Sequence, residues 1–363
     1  MILRKESKGL LNGAGKTIYS KMSSNIKLIT GGLGFVGINL ARKLAKNGYK
    51  VRIFDKKKQE ESLGKNIEYF HGDITNFDSV YDACKDVDCI FNLASLLPCS
   101  RAGNMFIKVN VGGTKNVLES AKKRGIRKIV HVSSSIVYGI PEKILASEKE
   151  QPKPIGDYGR SKLAAERLCI DYTKKGIRIT ILRPRMIIGA GRLGLLTILF
   201  DWIKRGKRIY LIGSGKNRFQ MVSVWDLIDA CILAMDKGSN QIFNIGADNT
   251  PQLVDLMNNL IKHANSKSKV FPLNATMTRN ALKLLDKMKL TPLNVEHYLI
   301  ADKDYVLDIS KAEKLLGWKP KHHAYDFMNE AYDFYINNIG KISDESKSDF
   351  PRQKLLKLIR FFS

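Results

Sequence analysis

From Ile26 onward, runs of apolar residues alternate with stretches of helical period. "IKLIT" (Ile26 to Thr30) reads as a strand buried on both faces. "FVGINLARKLAKNG" reads as a helix closed by Gly48, and "KVRIFD" (Lys50 to Asp55) as a second strand. Strand-like runs return at "IEYF", "CIFNLA", "KIVHVSSS" and "IRITILRP", with helical stretches around Ser79–Lys85, Asn110–Lys123 and Ser161–Lys174. Strands and helices alternating at this spacing predict an α/β fold: a doubly wound parallel sheet covered on both faces. After Pro184 the rhythm loosens. Residues 185–221 and 248–340 read as helices and loops, with one strand-like return at "QIFNIG" (Gln241 to Gly246). This predicts a smaller, discontinuous C-terminal substrate lobe beside a dinucleotide-binding domain of residues 25–184 plus about 222–247.

Two ends stand apart. Residues 1–24 are basic and loop-like and read as a disordered extension, with Met22 a possible start. Their "GAGKT" is not a phosphate loop, because the first glycine such a loop needs is Leu10 here. Residues 341–363 end in "PRQKLLKLIRFFS". On a helical wheel Leu355, Leu358, Ile359 and Phe362 share one face and Lys354, Lys357 and Arg360 the other. Such a tail docks on its own domain or on a dimer partner, or lies at a membrane surface. There is no run of 18 apolar residues and no apolar stretch in the first 24, so neither a membrane span nor a secretory signal is expected.

The segment after the first strand carries candidate chemistry. "TGGLGFVG" places Gly31, Gly34 and Gly37 between a strand and a helix. Bare backbone at such a turn lets a pyrophosphate approach, and the helix N-terminus offers it N–H groups and positive dipole. Asp55 ends the second strand, where a carboxylate accepts from ribose hydroxyls and repels a 2′-phosphate. The sheet is thus of Rossmann type and the cofactor NAD. Lys56, Lys57 and Lys58 follow at once and make NADP the alternative.

Tyr158 and Lys162 form Y-x-x-x-K, so a helix reaching back to Tyr158 puts both on one face. The ammonium favours the phenolate, and the phenol then exchanges a proton with a substrate hydroxyl. Upstream, "HVSSSIVYG" brings serines to the carboxyl end of a central strand, where such sheets bind ligands.

These motifs, with "HGDITN", "NLAS", "VNVGGTKNV", "LRP" and "LGWKP", resemble the extended short-chain dehydrogenase/reductase family over about Ile26 to Ile339. That family includes nucleotide-sugar epimerases and dehydratases and a 3β-hydroxysteroid dehydrogenase branch. The resemblance implies that Ser134, Tyr158 and Lys162 are catalytic, and that Phe35 and Val36 offer N–H groups to the pyrophosphate. It implies that Asp73 and Ile74 border the adenine, that Leu93 and Ala94 line the cofactor channel, and that Asn110 supports the site. It also implies an oxidoreductase or isomerase working on a hydroxyl-bearing carbon, as a cytoplasmic homodimer. A nucleotide sugar is the first substrate reading and a sterol-like alcohol the alternative. A silent cofactor-binding regulator is remote, since all three catalytic residues are present.

Three positions depart from the nucleotide-sugar pattern. Met186 stands for an asparagine, Phe219 for an arginine seven residues before Asp226, and Lys303 occupies a region where an arginine is usual. Arg185, Arg192 and Arg218 are the candidate substitutes for gripping a diphosphate.

Charge and cysteine content change this picture little. The net charge of +26 suits an anionic substrate, yet no Arg/aromatic cluster of a nucleic-acid module appears. Five scattered cysteines, without C-x-x-C or His/Cys spacing, indicate idle thiols and no metal site.

Overall fold

The computed structural model describes residues 26–60, 62–97, 102–191, 195–288, 290–291 and 293–339. The two terminal segments read above, Cys99 and Arg192 lie outside the described residues.

Seven parallel strands form the central sheet: β1 (Ile26–Thr30), β2 (Lys50–Asp55), β3 (Ile67–His71), β4 (Val87–Asn92), β5 (Lys128–Val132), β7 (Arg178–Pro184) and β11 (Ile242–Ile245). Their spatial order is β3-β2-β1-β4-β5-β7-β11. The chain winds outward from β1 to β3, then returns to lay β4 against the other side of β1. A crevice opens at that reversal, beyond the carboxyl ends of β1 and β4.

The unbroken apolar strands are explained by burial on both faces. Leu28, Phe54, Ile90 and Ile129 enter one core with α2 (Phe77–Ala83), α3 (Gly113–Arg124) and α4 (Asp157–Thr173). Their neighbours Ile29, Ile53, Phe91 and Val130 enter the other with α1 (Phe35–Lys46) and α6 (Val224–Asp236). Each such side chain contributes roughly 1.5–3 kcal/mol on burial.

Two helices begin earlier than the periodicity suggests. α2 starts at Phe77 because the Asn76 side chain accepts the Ser79 N–H at 2.9 Å. α4 starts at Asp157, which brings Tyr158 into its first turn.

Beyond Pro184 a third core gathers Ile188, Phe200, Leu211, Leu260 and Phe327. Its helices are α5 (Leu195–Lys204), α7 (Leu253–His263) and α11 (Ala324–Asn337), with α8 (Ala275–Lys287) and α9 (Val295–Ile300) nearby in sequence. The expectation of helices and loops alone needs correction here. Parallel pairs join β8 (Met186–Ile188) to β10 (Met221–Ser223) and β9 (Ile209–Ile212) to β12 (Val270–Leu273). A third pair joins β6 (Leu145–Ala146) to β13 (Val306–Leu307). Strands of two to four residues are too short to show a period.

"LGWKP" serves as a clasp. α10 (Ser310–Leu316) ends at Gly317 in the left-handed conformation, φ 67°. Trp318 then buries its ring and donates its indole N–H to Asp226 O at 2.9 Å. The Asp226 carboxylate accepts from the Lys321 and His322 N–H groups, fastening the returning chain to α6.

Candidate cofactor and catalytic site

The glycine turn is packed to contact. Gly31 has φ 67°, and a Cβ on it would lie 2.9 Å from Ala94 Cα. A Cβ on Gly37 would lie 2.5 Å from Gly31 O, so this glycine lets α1 rest on the loop. Gly34 is the N-cap of α1. It has no side chain to cap the helix, and the first turn, which holds Phe35 and Val36, has no acidic residue. A bare backbone and an uncapped positive helix end fit a pyrophosphate. Asp55 does more than expected: its carboxylate accepts the Leu33 N–H at 3.0 Å and the Lys57 N–H at 2.9 Å, fastening the glycine loop. Its oxygens retain lone pairs for ribose hydroxyls. Lys56, Lys57 and Lys58 are exposed.

The other cofactor candidates cluster around this turn. The N–H groups of Leu93 and Ala94 both reach Thr30 Oγ1 at 3.2 Å, so the end of β4 is tied to β1. Asp73 is exposed. It accepts the Thr75 N–H at 2.8 Å, which holds its carboxyl below the ordinary value. Ile74 is buried beneath the N-terminus of α3, where Asn116 donates to its carbonyl at 3.0 Å.

Tyr158 and Lys162 lie one turn apart on α4. Lys162 is 3% exposed and donates to Val132 O at 2.7 Å. Burial pulls its pKa down to about 8, against the opposing pull of Glu166 and Cys169. The Tyr158 ring meets Phe106 edge-on, centroids 6.0 Å apart. Among the three serines, Ser133 and Ser135 are buried, whereas Ser134 is half-buried. Ser134 caps a 3-10 turn, Ser135–Tyr138, with its Oγ accepting the Ile136 N–H at 3.3 Å. Of the three, its hydroxyl is therefore the one a ligand reaches most readily.

Asn110 sits in a π-helical turn, Ile107–Gly112, that leads into α3. Its Oδ1 accepts the Leu96 N–H at 2.8 Å, and its Nδ2 donates to Ser161 Oγ at 2.9 Å. Ser161 in turn donates to Tyr158 O at 2.7 Å. Below these lies a polar layer that the motifs do not reveal. Thr30 donates to Asn92 Oδ1 at 2.8 Å. Asn92 Nδ2 lies 3.2 Å from Thr114 Oγ1 and 3.0 Å from His131 Nδ1. Thr114 donates to Asn110 O at 2.7 Å. Burial, reinforced by Lys162, holds the His131 pKa well below its ordinary value, so this ring is neutral. Arg183 of "LRP" is also structural: it grips both oxygens of buried Glu166 and donates to the Tyr138 hydroxyl.

Comparison with known proteins decides the family. Residues 27–246 match the family model described as NAD dependent epimerase/dehydratase. The chain belongs to this family.

It is thereby an NAD-dependent enzyme. Its relatives include uncharacterised protein y4nG of Sinorhizobium fredii, 35% identical over 338 residues, which are 92% of this chain and 85% of that protein. Sterol-4-alpha-carboxylate 3-dehydrogenase, decarboxylating, of Mus musculus is 27% identical over 80% of this chain and 86% of its own. The fold matches the crystal structure of UDP-glucose 4-epimerase with UDP-glucose from Thermotoga maritima. That TM-score is 0.73, at 24% identity over 86% of this chain and 99% of the other.

The candidate diphosphate arginines are not brought into one state. Arg218 is exposed, and its backbone pairs with Asp304 and Tyr305. Arg185 is 5% exposed, its guanidinium 3.7 Å from the Tyr305 ring centre and 4.5 Å from that of Phe219. Lys303 lies 3.6 Å from Asp302, and Met186 opens β8 half-buried. Among the described residues, no group of three or more His, Cys, Asp or Glu could hold a metal ion. No helix among them is long and apolar enough to cross a membrane.

Proposed function

We propose that this protein carries out epimerase- or dehydratase-type redox chemistry at a secondary alcohol carbon of a nucleotide sugar. One observation carries the reading. Tyr158 and Lys162 share a turn of α4, and Lys162 is bonded to Val132, two residues before the reachable Ser134. Bound at the glycine turn, NAD would supply the hydride acceptor for the carbon bearing the hydroxyl. Tyr158 takes the hydroxyl proton, the buried ammonium of Lys162 favouring its phenolate. Ser134 donates to the reacting oxygen. Gly31, Gly34, Phe35, Val36, Gly37 and Asp55 hold the pyrophosphate and ribose, Asp73 and Ile74 border the adenine, and Leu93, Ala94 and Asn110 line and support the channel. Residues 185–221 and 248–340 supply the substrate lobe.

Phe219, Met186 and Lys303 favour a second reading, a sterol-like alcohol. The mouse relative acts, by name, on a sterol carboxylate. We read the enzyme as a cytoplasmic homodimer, with residues 341–363 the segment that meets a partner or a membrane surface. The test is a survey of nucleotide sugars and secondary alcohols that follows NADH and product identity, with Tyr158→Phe as control. Turnover of the true substrate falls by about 10² or more in that variant. Near-unchanged turnover refutes the role of Tyr158.

A further inference from the structure

Arg185 is a buried cation that the chemistry above leaves unused. Its Nε and Nη2 are both buried without a hydrogen-bond partner among the described residues. These two nitrogens share one edge of the guanidinium and point their N–H bonds in parallel, which is the fork a carboxylate occupies with both oxygens. Two residues earlier, Arg183 spends that same edge on Glu166, with Nε at 3.0 Å and Nη2 at 2.6 Å. Among the described residues, no acid plays this part for Arg185. Tyr305 and Phe219 cover the guanidinium plane, and ring faces leave the N–H edge unsatisfied. Burial lowers its pKa to about 10, Tyr305 opposing, so the group is still a cation at neutral pH. A buried unpaired charge is costly to a fold, and its retention asks for a partner that arrives from outside.

The surroundings indicate where that partner sits. Arg185 directly follows β7, on the ligand-binding edge of the sheet. The hydroxyl of Tyr305, beneath the guanidinium, donates to Ser135 O at 2.5 Å. Ser135 adjoins Ser134, so a single aromatic ring separates the guanidinium from the serine turn.

We propose that the Nε–Nη2 edge of Arg185 binds a carboxylate of the substrate, carried on or next to the carbon that is oxidised. This rests on the proposed site but holds for either substrate class. A flat carboxylate matches a flat buried edge, whereas the exposed Arg218 suits a bulkier phosphate leading to solvent.

The experiment measures affinities of the NAD-saturated full chain by calorimetry. The probes are UDP-glucuronate against UDP-glucose, and 2-hydroxycyclohexanecarboxylate against cyclohexanol. The wild type is expected to prefer the carboxylate member of at least one pair by about 10–100-fold, the range for charge-assisted hydrogen bonds. Arg185→Gln should erase that preference, and Arg185→Lys should restore part of it. Arg185→Gln gives up the ring contacts with Tyr305 and Phe219 but sheds a buried charge unpaired among the described residues, so it should melt close to the wild type, which separates a lost preference from unfolding. Absence of a carboxylate preference in the wild type overturns the proposal. So does equal weakening of both UDP probes in Arg185→Gln, which would make the anion the diphosphate. Arg185-dependent binding of the hydroxyacid without binding of either nucleotide would sustain Arg185 and remove the nucleotide reading alone.

Discussion

Replacing Lys162 by methionine should stabilise this protein while disabling it. Methionine keeps much of the stem and removes the ammonium. In the folded chain that ammonium is 3% exposed, and burial takes its pKa from the ordinary 10.5 to about 8. At about 1.4 kcal/mol per unit, holding the charged form inside costs the fold about 3 kcal/mol. The hydrogen bond to Val132 O returns about 1 kcal/mol, which the variant forfeits. The net expectation near neutral pH is a variant more stable by about 2 kcal/mol. The sign of the pH dependence follows from linkage. Below the folded pKa, both states of the wild type are protonated and the full penalty stands. Between about 8 and 10.5 the unfolded chain binds more protons, so wild-type stability rises with pH. The advantage of the variant must therefore shrink across that window. Urea unfolding of both proteins without cofactor, at neutral pH and near pH 10.5, measures this. A variant less stable than wild type at neutral pH, or a gap indifferent to pH, would refute the reasoning. Turnover should fall in parallel by about 10² or more if Lys162 tunes the phenol.

Among the serines, Ser134→Ala should impair turnover more than Ser133→Ala or Ser135→Ala, since Ser134 is half-buried where the other two are buried; steady-state rates for the three variants decide it. Glu166→Gln leaves Arg183 buried without its counter-charge, so denaturant midpoints should report a loss of about 3–5 kcal/mol, and a loss under about 1 would mean the pair is dispensable. NAD should bind more tightly than NADP, because Asp55 at the end of β2 repels a 2′-phosphate; equal affinities in calorimetry would shift the decision to Lys56–Lys58.

The dinucleotide-binding half was readable because its elements are long enough to show their period. β1 to β5 are strands of five or six residues, joined by helices of seven or more residues except between β2 and β3. The second lobe hid β8, β9, β10, β12 and β13, whose pairing depends on partners far along the chain. At the site, local pattern leaves three adjacent serines alike and the family resemblance alone picks Ser134; its lesser burial emerges only once β5 and the 3-10 turn are built. The condition of Arg185 was also invisible, because Phe219 and Tyr305 come from distant segments and nothing local says that no acid will meet it. His131 looked like one more strand residue, although it belongs to the buried polar layer.

That layer has a historical consequence. Thr30, Asn92, Thr114, Asn110 and Ser161 are linked in series, from the strand that carries the glycine turn to the helix that carries Tyr158. Remove one member and its neighbours keep buried donors and acceptors with nothing to bind, so the harm of a second change depends on the first. Descent with modification then proceeds unevenly. Single exchanges among the linked five should therefore cost more than the paired exchange that restores a partner. The lobe of short strands and loops has buried ties of its own, such as Gln220 to Ala247 and Leu307, but its exposed walls are open to change one residue at a time. A new substrate is on this physical ground most readily accommodated by altering the wall around the reaction centre, whose buried parts answer to one another.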